Sequence, residues 1–127
     1  MNSYPNKANI SNLDNVDWQD HSSQGRQGAL INYLYQDQRS GQSVALVCFK
    51  PGSSAPTHLH VEHESIFVIK GDYEDEFGHH FAGDLIVYPP GSYHSWRSNA
   101  GATLYVVWGG VTQLVTDIPK ETGWTEV

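Results

Sequence analysis

Six of the seven histidines of this 127-residue chain lie in one short stretch, between His58 and His94. A neutral imidazole nitrogen is a common ligand of transition metals, and a carboxylate oxygen is another. Glu64 stands among these histidines, whereas the single cysteine, Cys48, lies outside them in the apolar run SVALVCF. The cluster therefore points to a metal site built from nitrogen and oxygen ligands, with no thiolate.

The spacing predicts which side chains converge. In the strand-like segment THLHVEHE, His58 and His60 are two residues apart, which places them on one face of a strand and about 6.6 Å apart. Glu64 has the same parity, and His94, in the loop after the run DLIVY, can supply a third nitrogen. Such a ligand set suits one divalent ion of Fe, Zn, Ni, Mn or Cu, and the sequence does not choose among them.

Four further residues have two readings each. Trp96 shares the parity of His94, so it is a candidate wall of a substrate pocket or an ordinary core residue. Arg97 either anchors an anionic substrate or pairs with an acidic neighbour, and we favour the pair. His63 has the opposite parity and is expected to face out or to pack under a loop rather than to bind metal. Glu62 shares the parity of the ligands, but a bulge would turn it away from them.

A hairpin with Gly78 at its turn is expected in the segment EDEFGHHF. His79 and His80 would then be exposed to solvent. The acidic run Glu74, Asp75 and Glu76 is expected to form a solvated strand edge that resists aggregation.

The elements that position these residues are strands. From Ala29 onward, short runs rich in Val, Ile, Leu, Tyr and Phe are separated by clusters of Gly, Pro, Ser and Asp. The predicted strands are ALINYLY, SVALVCF, SIFVIKG, YEDEF, DLIVY, ATLYVVW and TQLV, and the predicted breaks between them include KPGSSAP and PPGS. This pattern indicates an all-β sandwich or barrel.

Length and charge limit the function classes. The length suits one domain, with a polar, Asn-rich mobile tail at residues 1–12 and a folded domain at 13–127. Fourteen acidic residues against seven Lys and Arg give a net charge of -7, with no basic stripe for nucleic acid or an anionic membrane surface. No run approaches the roughly 20 apolar residues of a membrane span. With no apolar signal segment near Met1 and one cysteine, we expect a cytoplasmic protein.

The histidine-rich region resembles the two motifs of the cupin superfamily. The first motif matches at every fixed position, and the second matches except at its closing Asn, where this chain has Ser98 followed by Asn99. The matching residues are Gly52, His58, His60, Glu64 and Gly71, then Gly83, Pro89, Gly91 and His94. The resemblance implies a small antiparallel β-barrel, or double-sheet jelly roll, with His58, His60, Glu64 and His94 as ligands of a metal inside it.

Within that superfamily, HLHVEHESIFVIKGDYEDEFGHHFAGDLIVYPPGSYHSWRS is similar to the cupin domain of ChrR-type anti-sigma factors. It is also similar to stand-alone cupins grouped with acetylacetone and dihydroxyacetophenone dioxygenases. This chain shows no helical Cys/His zinc-binding segment like that of the anti-sigma factors. It keeps Glu64 as a fourth ligand, where such dioxygenases often use three histidines.

Two functions follow from these resemblances. The first is a mononuclear metalloenzyme, a dioxygenase acting on a small diketone or hydroxyketone. The second is a non-catalytic sensory cupin that binds a metal or a small ligand. No acid, base or nucleophile stands out in the sequence. Because small cupins commonly pair through sheet edges, we also expect a homodimer.

Overall fold

The computed structural model describes residues 4–115, which form an almost entirely β fold with one short 3-10 turn at Ser23–Gly25. The predicted apolar runs all lie in strands. The nine strands are β1 (Gln19–Asp20), β2 (Gln27–Gln36), β3 (Ser43–His60), β4 (Glu64–Asp75), β5 (Gly78–Phe81), β6 (Leu85–Tyr88), β7 (Tyr93–Ser98), β8 (Ala102–Trp108) and β9 (Thr112–Leu114).

The sheet closes into a barrel because two long strands share two partners. β3 pairs with β8 through its first half and with β7 through its second half. β4 also pairs with both β8 and β7, so β3, β8, β4 and β7 form a closed antiparallel ring. β2 extends the barrel beside β3, and β5 and β6 extend it beside β4. The predicted small antiparallel barrel is confirmed.

The predicted break at residues 50–56 is wrong, because β3 runs through it. Gly52 adopts φ +81° and its N–H donates to Asn99 O at 3.2 Å. A register shift between Ala55 and His58 then takes up the extra backbone around Pro56. This irregular stretch lets one strand leave its pairing with β8 and continue beside β7.

Among residues 4–115, one apolar core fills the barrel. Its side chains alternate along the strands, as the two-residue period of a strand requires. The first half of β3 contributes Val47 and Phe49, β4 contributes Ile66 and Val68, and β8 contributes Leu104 and Val106. Along β3, this buried set continues into His58 and His60, which places polar side chains at the end of an apolar interior.

The first described residues are exposed, and Asn6 Nδ2 donates to Leu34 O at 2.7 Å. The mobility of residues 1–12 and the domain boundary at residue 13 stay predictions. The last residues of the predicted domain, from 116 onward, lie outside the described residues.

Candidate metal centre

Four buried side chains from three strands meet inside the barrel: His58 and His60 at the end of β3, Glu64 at the start of β4, and His94 on β7. None is more than 6% exposed. Each offers one ligand atom, and these four atoms all lie within 4.8 Å of one another. His58 and His94 are direct partners across β3 and β7. The spacing argument thus brings together the residues that it singled out.

Glu64 lies on a different strand from the one that the spacing predicts. β3 ends at His60, a turn occupies residues 61–63, and Glu64 opens the next strand. The carboxylate therefore reaches the site from a second strand and not through the parity of one continuous strand. Glu64 Oε1 lies 3.0 Å from His60 Nε2 and 3.7 Å from His94 Nε2.

Three of the converging atoms have no hydrogen-bond partner, namely His60 Nε2, His94 Nε2 and Glu64 Oε1. His60 Nε2 lies 3.0 Å from Glu64 Oε1 without forming a hydrogen bond with it. A buried polar atom without a partner costs roughly 1–3 kcal/mol, and native proteins contain few of them. Three such atoms facing one point fit a divalent ion, which would satisfy all of them together.

The outer nitrogens of two histidines fix the tautomer that a metal needs. His58 Nδ1 lies 3.1 Å from Pro56 O, which can only accept, so this nitrogen carries the proton. Ser92 donates its hydroxyl proton to Pro89 O at 2.7 Å and therefore accepts from His60 Nδ1 at 2.9 Å. Both rings consequently present an unprotonated Nε2 to the site.

Asp75 fixes the tautomer of His94, because it accepts a hydrogen bond from His94 Nδ1. Its Oδ2 accepts from His94 Nδ1 at 2.9 Å and from the Tyr88 hydroxyl at 2.6 Å. Its Oδ1 accepts from His80 Nε2 at 2.9 Å. Since Tyr88 donates to Asp75, the Tyr73 hydroxyl donates to Tyr88 at 2.7 Å. The side chain of Asp75 is fully buried, so this carboxylate is held in place by donors alone.

The pKa values of two candidate ligands, His58 and Glu64, favour the protonation states that bind metal. Burial, together with the nearby His94, lowers the pKa of His58 to about 3, so its ring is neutral at pH 7. Burial alone would raise the pKa of Glu64, but in the metal-free site a proton on the adjacent His60 or His94 outweighs burial and lowers that pKa to about 2. A neutral imidazole and an ionised carboxylate are the forms that bind metal.

A narrow cavity adjoins the site. His58, Glu64 and His94 form one side, and the rest is formed by apolar side chains that include Trp96 and Phe49, together with His21 and Arg26. The free space is about 30 Å³, which is room for about two water-sized groups. Trp96 is buried and stacks on Phe49 with ring centroids 3.6 Å apart. The candidate wall from the sequence does line the cavity.

Sequence reasoning missed three residues around the site: Asp75, His21 and Arg26. Asp75 was expected on a solvated edge, and that expectation is wrong because the hairpin turns its carboxylate inward to His94 and Tyr88. His21 and Arg26 line the same cavity as the metal candidates although they precede β2. Only the isolated position of the seventh histidine, outside the cluster, marks His21 in the sequence.

Four further residues near the site were expected to be exposed or turned away from the metal, and three of them are exposed. His63 and Glu62 are both exposed, as expected for His63, and both pack near Gly109. His79 is exposed, as expected, and it contacts Asp72. The expected exposure of His80 is wrong, because its ring bonds to the buried Asp75.

The neighbours of the buried Asp75 in the acidic run have polar partners on β7. Arg97 pairs with Glu74, which confirms the favoured reading of that arginine. The Glu76 carboxylate accepts from the backbone N–H and the hydroxyl of Ser95. Both glutamates thus tie the β4 side of the hairpin to β7.

A barrel that gathers three histidines and a glutamate at one end of its core has the architecture of a cupin. The family model of the ChrR cupin-like domain matches residues 6–112, so the chain belongs to this family. No curated protein matches the sequence.

Solved structures share the fold at low sequence identity. An acetylacetone dioxygenase from Acinetobacter johnsonii is 16% identical, with a TM-score of 0.73 over 99% of this chain and 97% of that chain. The polyketide cyclase RemF from Streptomyces resistomycificus is 16% identical, with a TM-score of 0.68 over 95% and 92%. Rhodobacter sphaeroides SigE in complex with the anti-sigma ChrR gives 19% identity and a TM-score of 0.63 over 76% and 50%. At these identities the likeness shows the fold.

Between residues 4 and 115 the structure has no helix long and apolar enough to cross a membrane.

Proposed function

We propose that the chain is a mononuclear metalloenzyme, a dioxygenase that acts on a small diketone or hydroxyketone. A single observation carries the proposal: three unpartnered, buried ligand atoms converge beside a cavity that two of their residues, Glu64 and His94, line together with largely apolar side chains. His58, His60, Glu64 and His94 would hold one divalent ion, with Fe, Zn, Ni, Mn and Cu all compatible with the ligand set. A bound ion supplies Lewis acidity toward a carbonyl or the redox chemistry for O₂ activation.

The protein's own residues orient and shield the site. Pro56 O, Ser92 and Asp75 each accept a hydrogen bond from the Nδ1–H of one histidine and so hold its Nε2 toward the centre. Trp96 and Phe49 exclude bulk water from the cavity, which strengthens electrostatic interactions there. Four protein ligands on a six-coordinate ion leave two positions for exogenous groups. The cavity has space for groups of that number.

The substrate class rests on two supports. A dicarbonyl or hydroxyketone presents two oxygens at chelating distance, which would suit an ion that keeps two positions free of protein ligands. The fold is shared over nearly the whole length with an acetylacetone dioxygenase, although the low identity leaves the activity itself to experiment. A dioxygenase consumes one O₂ per dicarbonyl and places both oxygen atoms in the products, with no external reductant.

Oxygen uptake tests the proposal. Protein loaded with Fe(II) should consume one O₂ per pentane-2,4-dione or hydroxyketone added, and His94→Ala should abolish the uptake. The exposed His63→Ala variant is the matched control and should retain it. If no dicarbonyl supports uptake, and neither azide nor nitric oxide changes the spectrum of the metal-loaded protein, the enzyme proposal is wrong.

One observation favours a second function. The family model that matches residues 6–112 is that of the ChrR cupin-like domain, and one solved structure with this fold is an anti-sigma complex. A sensory cupin would bind a metal and a small ligand without turnover. Binding of a dicarbonyl to the metal-loaded protein, with no O₂ uptake under any metal, would support this function over the enzyme.

We also propose that the protein is a cytoplasmic homodimer. Within residues 4–115, β6 pairs only with β4, which leaves one edge of β6 unpaired. Leu85 and Val87 on this strand are 77% and 64% exposed, and covering them with a second copy would bury apolar surface. Light scattering should give twice the monomer mass, and Val87→Lys should restore the monomer. A monomeric wild type at high micromolar concentration would refute the dimer.

A further inference from the structure

The metal cavity and a larger surface groove share three residues. The groove has a volume of about 310 Å³ and lies on the outside of the barrel between β2 and the segment around residues 110–112. His21, Arg26 and Trp108 line both the groove and the metal cavity. These three residues, the portal, therefore separate the buried site from the space that a larger ligand can occupy.

Local contacts hold the portal side chains in place. The backbone N–H of His21 donates to Ala29 O at 2.9 Å, and its ring lies 6.2 Å from the Trp108 ring, centroid to centroid. Arg26 Nη1 donates to Ser23 O at 2.9 Å and to Ser23 Oγ at 3.1 Å. The 3-10 turn thus fixes the guanidinium at the boundary between groove and cavity.

No carboxylate among the described residues pairs with the positive charge of Arg26. Within residues 4–115 it forms no ion pair, and its acceptors are neutral oxygens of Ser23, Gln24 and Thr112. Asp37 also lines the groove, but its carboxylate accepts from the Arg39 N–H and the Ser40 hydroxyl. The guanidinium is partly buried and has no anionic partner among the described residues, so an anionic ligand at this place gains a charge-assisted hydrogen bond.

Glu64 is the other charged residue that lines the metal cavity, and its field acts on Arg26. With a divalent ion in place, the ion, Arg26 and Glu64 sum to about two positive charges. A dicarbonyl bound as its enolate contributes one negative charge, and a carboxylate contributes the second. Since the cavity holds only about two water-sized groups, the rest of such a ligand must extend to the portal.

We propose that Arg26 binds the carboxylate of a dicarbonyl acid whose two carbonyl oxygens reach the metal site. The proposal rests on the proposed function and narrows its substrate class from neutral diketones to keto acids with a remote carboxylate. His21 provides a neutral hydrogen-bonding group beside the carboxylate, because burial and the charge of Arg26 lower its pKa to about 4.

A matched pair of ligands tests the proposal. Heptane-2,4-dione and 4,6-dioxoheptanoate have the same carbon chain and the same dicarbonyl, and differ in one terminal carboxylate. Titrated into the Co(II)-loaded protein and followed by its visible spectrum, the acid should bind about tenfold or more tightly than the neutral dione. Arg26→Gln should remove this preference and change the affinity for the dione less than about twofold. Arg97→Gln, which alters an exposed arginine paired with Glu74, should leave both affinities unchanged.

The outcomes separate this proposal from the proposed function. If the dione binds but the acid has no advantage, or if Arg26→Gln keeps the advantage, the role of Arg26 is refuted while the metal site stands. If neither ligand changes the spectrum, both proposals fail. Should Arg26→Gln not fold, two measurements replace it. Arg26→Lys should keep part of the preference, and added NaCl should weaken wild-type binding of the acid selectively.

Discussion

Asp75 and His94, nineteen residues apart in sequence, are joined inside the barrel by a hydrogen bond of 2.9 Å from His94 Nδ1 to Asp75 Oδ2. Asp75 ends β4, and its backbone partner on β7 is Trp96, two residues after His94. The pairing of two strands therefore sets the orientation of a candidate ligand. A carboxylate in this position also makes the ring more basic toward a metal.

We expect Asp75→Asn to weaken metal binding by about 10–100-fold. Every group that faces this carboxylate is a donor, so the amide NH₂ of Asn would face another donor and disturb His94, Tyr88 or His80. Competition with a chromophoric chelator measures the affinity. Asp72→Asn on the same strand is the control, because Asp72 contacts the exposed His79, and it should bind metal normally. An unchanged affinity of Asp75→Asn would contradict the positioning role.

Metal content tests the ligand set. Protein purified without chelator or affinity metal should contain one divalent ion per chain, because four ligand atoms converge on one point. His60→Ala and His94→Ala should each lose most of the metal, and His58→Ala/His60→Ala should lose nearly all of it. His79→Ala is the control, since this ring is exposed. Full occupancy in the double variant would rule out the assignment.

The metal-free protein should lose stability in acid, beginning near pH 6.5. The folded-state pKa values of His58 and His21, about 3 and about 4, lie below the unfolded value of about 6.5. The unfolded chain therefore binds more protons as the pH falls through this window, which lowers the free energy of unfolding. Glu64 and Asp75, with pKa values near 2, add a further loss below about pH 4.5.

Urea denaturation in the presence of EDTA, at several values from pH 7.5 to 4.5, measures this loss. Each histidine contributes a slope of at most about 1.4 kcal/mol per pH unit. His21→Asn should reduce the slope, whereas Asn at the exposed His63 should not. A stability that is constant between pH 7 and 4.5 would show that these rings are not buried in the neutral form.

The strands and the four candidate ligands could be predicted because their signals are local. Alternating apolar residues and glycine-rich turns mark each strand, and fixed spacing marks His58, His60, Glu64 and His94. The continuation of β3 through residues 50–56 could not be read in this way. Pairing with β7 and a bulge near Pro56 create it, and both depend on a partner distant in sequence.

The rest of the site could not be predicted for a similar reason. Asp75 reads as one of three consecutive acidic residues, and only the pairing of β4 with β7 shows that its side chain points inward. His21 and Arg26 stand in a polar segment whose packing against Trp108 and the cavity is a tertiary effect. Burial of polar residues follows from long-range contacts, and no local pattern encodes it.

Two glycines of the first cupin motif should tolerate alanine very differently. Gly52 and Gly71 both have a positive φ, +81° and +76°, which costs an alanine about 1–2 kcal/mol. A Cβ at Gly52 meets nothing within 4 Å, whereas one at Gly71 clashes with Gly101 O and lies 2.7 Å from Ala102 Cα. We therefore expect Gly71→Ala to lower the free energy of unfolding by more than about 3 kcal/mol. Chemical denaturation of both variants checks this, and equal losses would contradict it.

The wall of the metal cavity should affect ligand binding and not metal binding. Trp96 is buried against Phe49 and lines the space beside His58 and His94, but its indole offers no metal ligand. We expect Trp96→Ala to weaken binding of pentane-2,4-dione to the Co(II)-loaded protein at least about tenfold, because the dione loses apolar contact in the cavity. The metal content should stay at the wild-type level.

Two further variants separate a loss of dione binding from a loss of folding. Removing a buried tryptophan costs about 3–5 kcal/mol, so Trp96→Phe, which keeps a ring beside Phe49, provides a folded variant with a smaller effect in the same direction. Trp18→Ala is the control, since Trp18 lines a separate surface cavity with Leu13. If Trp96→Ala binds the dione as the wild type does, the exogenous ligand does not occupy this cavity. If it loses metal together with the dione, Trp96 supports the site as a whole and is not a wall of the substrate pocket.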